Sequence, residues 1–170
     1  GAFNGGPGFD QQLVNRIEDA SGVPATTTMT AVLAALDALN IEKVGVATSY
    51  IKTVDNDLAQ ALRASGREVI KISGMGILKS IDMGDIAPEI VYRFARENLA
   101  EAIGAEGFLL SCGNWRTLES IKPLEDEFGI PVITSNQTGI WQALQIAGIP
   151  THGIKEAGQI FAVPTTLLDT

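Results

Sequence analysis

The single cysteine of this 170-residue sequence, Cys112, is the residue best suited to chemistry. It follows the apolar run 107–111, which predicts a strand, and it precedes Gly113 and Asn114. Ligands of open parallel sheets bind beyond the carboxyl ends of the strands, and Gly113 would let the backbone N–H groups turn towards an anion. A free cysteine is more often a small buried apolar residue, but the Gly-Asn sequence after this one favours a reactive thiol.

Two further predicted strands end in hydroxyl and amide side chains. Ser49 and Tyr50 follow the run 43–48, and Tyr50 is either a core aromatic residue or directs its hydroxyl group into the same crevice. Ser135 follows the run 131–134, where serine is typical of a helix N-cap. With the loop at Cys112, these strand ends would form a neutral anion-binding site of hydroxyl and N–H groups, without arginine.

The composition argues against several classes of protein. The chain has 12 Lys and Arg against 20 Asp and Glu, a formal charge of −8, and no basic stripe, so we expect no nucleic-acid partner. One histidine, His152, and one cysteine argue against a Ser-His pair, a multi-histidine zinc site and an internal disulfide, and we expect neither metal nor cofactor. Its apolar stretches are short for a membrane span and it lacks a secretory leader, so we expect a cytoplasmic protein without membrane contact. A homo-oligomer is compatible with these features.

The glycine-rich segments do not match nucleotide-binding motifs. The segment 73–76 follows a predicted strand, but Lys79 stands where a dinucleotide-binding loop has its third glycine. The cluster 5–8 lacks the Lys-Ser/Thr of a phosphate-binding loop. Nucleotide binding is therefore disfavoured.

Acidic residues on predicted helices are interpreted as solvated surface, because runs of charge usually are. They are Asp55, Asp57 and the run 125–127. The two tryptophans, Trp115 and Trp141, are interpreted as packing residues, with Trp115 close enough to the Cys112 loop to shape a pocket.

Strand and helix patterns alternate along most of the chain. Predicted strands cover 43–48, 68–73, 107–111 and 131–134, and their lack of polar/apolar alternation is typical of a parallel sheet covered on both faces. Helical periodicity covers the segments between them, including one helix marked by Ile86, Ile90, Phe94 and Ile103, with Gly104 as its C-cap. The repeat predicts an α/β fold with a doubly wound parallel sheet.

The first forty residues differ from the rest. They predict two helices, 10–20 and 29–40, the second preceded by the cap-forming run 26–28, and no strand precedes the first. We therefore expect the N-terminal lobe to be incomplete in this chain. A last helix is expected after 134, and the Gly/Pro-rich tail 148–170 is expected to be irregular.

The order and spacing of several segments resemble the aspartate/glutamate/hydantoin racemase superfamily, in the branch of arylmalonate decarboxylases and maleate cis-trans isomerases. The matching segments are 23–27 (VPATT), 31–36 (AVLAAL), 46–50 (VATSY), 76–77 (GI), 109–113 (LLSCG) and 131–135 (PVITS). They extend over almost the whole chain up to Gly148. The Ser-Cys-Gly sequence is closest to the decarboxylase form.

The resemblance implies two similar α/β lobes with the active site between them. Residues 1–40 would be the remainder of the N-terminal lobe, 41–136 the central lobe, and 137–170 a helix and tail that return to the N-terminal lobe. Family members carry a Gly/Cys-Thr-Ser motif just before the loop with which this sequence opens, and the motif is absent here.

The resemblance also implies roles for particular residues. Cys112 resembles the thiol that protonates the α-carbon of the substrate, and Tyr50 and the backbone of Cys112 and Gly113 look like part of a hole for a carboxylate or enediolate. Met83 resembles a pocket-lining residue. Ser80 falls where decarboxylases tend to be apolar and isomerases carry an amide. The neighbouring Ser49 and Asn114 are further candidate substrate contacts.

The leading hypothesis from the sequence is a cofactor-independent decarboxylase of a small malonate-type acid. Racemisation usually needs two thiols, whereas decarboxylation followed by protonation from one side needs one. Maleate cis-trans isomerase and an Asp/Glu-type racemase are alternatives within the superfamily. From another class, an inactive paralogue that binds a small carboxylic or dicarboxylic acid is the alternative.

Overall fold

The computed structural model describes residues 8–165. Seven α-helices and four β-strands make up the described part of the chain, followed by two 3-10 helices at Lys155–Ala157 and Gln159–Ala162. In chain order the elements are α1 Phe9–Ser21, α2 Thr28–Ala38, β1 Lys43–Thr48, α3 Lys52–Ala64, β2 Glu68–Gly74, α4 Ser80–Gly84, α5 Pro88–Glu101, β3 Gly107–Ser111, α6 Leu118–Phe128, β4 Val132–Thr134 and α7 Ser135–Ile146.

The four strands form one parallel sheet in the order β2-β1-β3-β4. One face is covered by α2, α3 and α7 in a core that includes Leu36 and Trp141. The other face is covered by α5 and α6, with Phe108 and Leu110 of β3 facing them. The predicted doubly wound α/β fold is therefore confirmed.

Burial on both faces explains the apolar strands. All five residues of β3 are buried, and so are all residues of β1 after Lys43, which leaves no solvated face to produce alternation. The predicted strands agree with the observed ones to within one residue at each end, and β1 and β3 agree at both ends.

The helix predicted to end at Gly104 is wrong in its boundaries. The segment forms the short α4 and then α5, which begins at Pro88 and ends at Glu101. Ile103 lies outside the helix and is 86% exposed, so it does not continue the buried face. Pro88 at the first helical position explains the start of α5. An N–H group at that position has no acceptor within the helix, so proline, which lacks the N–H group, loses no hydrogen bond there.

The tail is more ordered than expected. Its two 3-10 helices bring Ile160 and Phe161 into the core under α2 and α7. Trp115 and Trp141 are both buried, which confirms their interpretation as packing residues. The helix N-cap predicted at Ser135 lies one residue earlier, because the Thr134 hydroxyl accepts from the backbone N–H group of Gln137.

The interpretation of the acidic runs is wrong at two positions. Asp55 is 2% exposed and Glu125 is 9% exposed, whereas Asp57 lies on the surface. The Glu125 carboxylate accepts hydrogen bonds from the backbone N–H groups of Val132 (3.0 Å) and Gln159 (3.1 Å). It thereby joins α6 and β4 to the tail.

We expect Glu125→Gln to change how stability depends on pH. Burial raises the pKa of Glu125 above its usual value, against the opposing effect of the N–H groups of Val132 and Gln159. A raised folded-state pKa means that the contribution of Glu125 to stability is complete below the unfolded-state pKa and is lost as pH rises through the folded value. Urea unfolding should therefore show wild type losing stability relative to Glu125→Gln as the pH rises above about 4.5, the usual pKa of a glutamate.

The exposed Glu119 on the same helix supplies the matched control, Glu119→Gln. That variant should follow the wild-type pH dependence. A wild type that instead gains stability over Glu125→Gln with rising pH would mean that the N–H donors outweigh burial.

Candidate active site

The switch point of the sheet lies between β1 and β3. The chain leaves β1 towards β2 on one side and returns on the other side to form β3, so the loops after β1 and β3 diverge and leave a crevice. Thr48 and Ser111, the last residues of these strands, are register partners. Tyr50 and Cys112 therefore lie at the same edge of the sheet, as the sequence predicted for the strand ends.

The Cys112 thiol is buried among apolar side chains. The residue is 3% exposed, and its cluster includes Met83, Val91 and Trp115. The Sγ atom of Cys112 lies 3.9 Å from Sδ of Met83. Trp115 is held in place by an edge-to-face contact with Phe94, with ring centroids 6.2 Å apart. The thiol thus packs with an aromatic ring that is held in place and with a flexible methionine.

Tyr50 packs against the same cluster, and its hydroxyl group is hydrogen-bonded with that of Ser111. Burial is the main cause that raises the pKa of Tyr50, while Ser111 lowers it and the nearby Cys112 and Asp55 raise it. The phenol is therefore neutral over the physiological range and keeps its proton for donation. The Ser135 hydroxyl lies 3.4 Å from that of Ser111, so hydroxyl groups follow one another across three strand ends.

The loop after Cys112 is tied to two helices. The Asn114 side chain donates to the Ser80 hydroxyl (2.8 Å) and carbonyl (2.9 Å) at the start of α4. The Asn136 side chain on α7 donates to the Gly113 carbonyl (3.0 Å). Within residues 8–165 the Gly113 N–H group has no hydrogen-bond acceptor, so it is available to an anion.

The structure thus brings most of the predicted site residues together, in two groups. Tyr50 and Met83 pack with Cys112, whereas Ser80, Gly113 and Asn114 form an exposed polar rim. Ser49 differs from both groups. It is fully buried, and its hydroxyl has no hydrogen-bond partner among the described residues.

One cavity lies beside the loop after Cys112, and another lies towards the opposite edge of the sheet, where Glu125 contacts the first residue of β4. The first, of about 330 Å³, is bordered by Trp115, Asn136 and Ile140, and Cys112 does not line it. The other, of about 290 Å³, lies near Glu125 and His152.

Three residues of the site were missed in the sequence. Thr48, Asp55 and Ser111 are buried beside Tyr50 and Cys112. A signal was available for Asp55, which lies three residues before Leu58 and seven before Leu62 and hence on the apolar face of α3.

No group of three His, Cys, Asp or Glu side chains within residues 8–165 is arranged to hold a metal ion. In the same part of the chain, no helix has the length and apolar character needed to cross a bilayer.

The fold and the matches to known proteins define the class as the racemase-like α/β superfamily predicted from the sequence. The chain belongs to the arylmalonate decarboxylase family, whose sequence profile matches residues 2–161. The chain is 34% identical to arylmalonate decarboxylase of Bordetella bronchiseptica, over 94% of this chain and 67% of that protein. It is 22% identical to maleate isomerase of Geobacillus stearothermophilus, over 92% of this chain and 64% of that protein.

Solved structures agree with these matches. A crystal structure of arylmalonate decarboxylase superposes with a TM-score of 0.82 at 31% identity, over 92% of this chain and 69% of that one. Maleate cis-trans isomerase of Nocardia farcinica shares the fold, with a TM-score of 0.86 at 22% identity over 94% and 66% of the two chains. The chain therefore spans about two-thirds of the length of these relatives. The relatives are a decarboxylase and isomerases, and the prediction of an enzyme of this branch is confirmed at that level.

Proposed function

We propose that the protein is a cofactor-independent decarboxylase of a small malonate-type acid. The observation that carries the proposal is the thiol of Cys112 at the switch point beside Tyr50, in a chain of the arylmalonate decarboxylase family. The higher identity to the decarboxylase than to the maleate isomerase, 34% against 22%, favours decarboxylation over isomerisation.

In the proposed reaction, one carboxylate of the substrate leaves as carbon dioxide. The electron pair of the broken carbon–carbon bond remains on the α-carbon and the second carboxyl group as an enediolate. The Cys112 thiol gives its proton to the α-carbon, and solvent then reprotonates the thiolate. No electron donor or acceptor is needed.

The enediolate carries more negative charge on its oxygens than the substrate carboxylate, so fixed donors at these oxygens lower the barrier. Tyr50 and the N–H group of Gly113 are the donors that we assign to them. Tyr50 suits this role because its phenol is neutral, and Gly113 because its N–H group has no acceptor within residues 8–165.

We assign to Met83 the control of substrate access to the thiol. Cys112 is buried, and its sulfur lies 3.9 Å from the sulfur of Met83. Methionine has three rotatable bonds and adapts its shape readily, so its displacement would expose the thiol to an apolar substituent of the substrate. Ser80 and Asn114 on the exposed rim would then contact the polar end of the acid.

A prochiral disubstituted arylmalonate tests the proposal. We expect the protein to release one carbon dioxide per substrate, with one enantiomer of the product in excess, because the proton comes from one side. In D₂O the product should carry a single deuterium at the α-carbon. Maleate and D- and L-aspartate are assayed in parallel.

Each other outcome supports a different function. Fumarate formed from maleate would support an isomerase, and loss of optical rotation from aspartate would support a racemase. Tight binding of the malonate without turnover of any of these acids would support the inactive paralogue. Decarboxylation to a racemic product would contradict protonation by one fixed thiol.

A further inference from the structure

Asp55 is a buried carboxyl group that the proposed reaction does not use. It lies on α3 and is 2% exposed, and none of the ion pairs among residues 8–165 includes it. A buried carboxyl group is costly unless hydrogen bonds compensate, so its partners indicate what it is for.

The carboxyl group controls the direction of one hydroxyl group. The Thr48 hydroxyl donates to Oδ1 of Asp55 (2.5 Å) and accepts from the backbone N–H group of Tyr50 (3.0 Å). A hydroxyl group has one proton to donate. Because the Thr48 proton is directed at Asp55, a lone pair of the Thr48 oxygen is left to accept from the N–H group of Tyr50. The two hydrogen bonds therefore strengthen each other.

The same carboxyl group packs against the end of β2. A Cβ atom at Gly74 would lie 2.3 Å from Oδ2 of Asp55 and 2.3 Å from the carbonyl oxygen of Tyr50. Any residue other than glycine would therefore displace the carboxyl group or the turn after β1. Asp55 occupies the point where the ends of β1 and β2 meet.

The turn after β1 in turn holds the loop that leads to α4. The N–H groups of Met75, Gly76 and Ile77 donate to the carbonyl oxygens of Thr48 (3.0 Å), Tyr50 (3.0 Å) and Ser49 (2.9 Å), respectively. This loop continues to the helix that carries Met83. The position of the turn therefore affects both Tyr50 and Met83, which pack with Cys112.

We propose that Asp55 is a positioning residue that acts through Thr48 to hold Tyr50 beside Ser111 and Cys112. Its catalytic consequence rests on the proposed function, whereas its structural consequence does not. What matters is an oxygen acceptor at position 55, so asparagine can replace the carboxylate and alanine cannot.

The structural consequence is tested by fluorine NMR. The sequence contains two tyrosines, so Tyr92→Phe leaves Tyr50 as the single site for incorporated 3-fluorotyrosine. In this background, Asp55→Ala and Thr48→Val should shift or broaden the folded-state resonance. Asp55→Asn and Thr48→Ser should leave it within the wild-type linewidth, as should Asp57→Ala at an exposed position of the same helix.

This measurement separates positioning from general destabilisation. A variant that is only less stable adds the resonance of the unfolded chain and leaves the folded resonance in place. An unmoved folded resonance in Thr48→Val overturns the inference, even where Asp55→Ala fails to fold. A resonance displaced equally by Asp55→Asn and Asp55→Ala also overturns it.

The catalytic consequence is tested by a double-mutant cycle with a disubstituted arylmalonate. Asp55→Ala should lower kcat about 10- to 100-fold in the wild-type background, because small displacements of a catalytic group have effects of this size. In a Tyr50→Phe background it should lower kcat less than about twofold, because the group that it positions is absent. Equal losses in both backgrounds overturn the inference. If the wild type releases no carbon dioxide while the NMR shifts occur as expected, the proposed function fails and the positioning of Tyr50 stands.

Discussion

Cys112→Ala should lower kcat by about 10²- to 10⁴-fold, the range that a general acid contributes. The methyl group has no proton to give to the enediolate, whereas the donors for the carboxylate oxygens remain. Substrate binding should therefore change less than about threefold, since KM reports the carboxylate contacts when chemistry is slow. Steady-state kinetics and calorimetric binding of the arylmalonate on the same preparation measure both effects.

Ser120→Ala supplies the control for removal of a buried heteroatom. Ser120 is 1% exposed, and its hydroxyl has no partner among the described residues. Ser120→Ala therefore removes one buried heteroatom, as Cys112→Ala does. Ser120 lies on α6, whose buried Ile121 and Leu124 belong to the core around Phe108 and not to the cluster of Cys112, and the variant should keep wild-type kcat. Turnover within tenfold of wild type in Cys112→Ala would exclude the thiol as proton donor.

Tyr50→Phe should lower kcat by about 10²- to 10³-fold, the effect of removing one donor from an oxyanion-binding site. The phenol is available as a donor because burial, together with Cys112 and Asp55, raises its pKa above the usual value of 10.0. The phenol of Tyr50 should accordingly stay protonated below pH 10. A fall in kcat between neutral pH and pH 10 should therefore come from another group. The ring remains, so its packing against the cluster of Cys112 is retained, and circular dichroism should show an unchanged folded fraction.

Tyr92→Phe removes the same hydroxyl group at a position outside the site. The Tyr92 hydroxyl donates to the exposed Glu127 (3.2 Å), and its loss should leave kcat at the wild-type value. A fall in kcat shared by both variants would point to an effect on the fold. Tyr50→Phe with wild-type kcat would remove Tyr50 from the proposed mechanism and leave the backbone N–H groups as the donors.

Local patterns of residues were sufficient to predict the parallel sheet and the position of the thiol at the end of a strand. The strands β1 and β3 were predicted at both ends because short, mostly apolar runs (KVGVAT and GFLLS) are bounded by loops that contain polar residues or glycine. Once parallel strands are predicted, their carboxyl ends must lie at one edge, which brings Tyr50 and Cys112 to the same side. The order and spacing of several short sequence segments likewise predicted the family, and the comparison with known proteins confirmed it.

Several features of the site depend on contacts between distant parts of the chain. Met83 contacts Cys112 from a five-residue helix, which is too short to produce a periodic signal in the sequence. Asp55 and Glu125 were interpreted as surface charges because a carboxylate is usually solvated, although its spacing from Leu58 and Leu62 places Asp55 on the apolar face of α3. Each is buried because its helix turns it towards backbone or hydroxyl donors of another element, Thr48 for Asp55 and Val132 for Glu125.

The difference has a physical cause. Secondary structure and strand ends follow from the chemistry of neighbouring residues, and that information is present in short windows of the sequence. Whether a thiol is covered, which hydroxyl group reaches a phenol and which carboxyl group is buried depend on how helices pack across the sheet. Those outcomes are set by the fit of many side chains at once, and the three-dimensional structure was needed to see them.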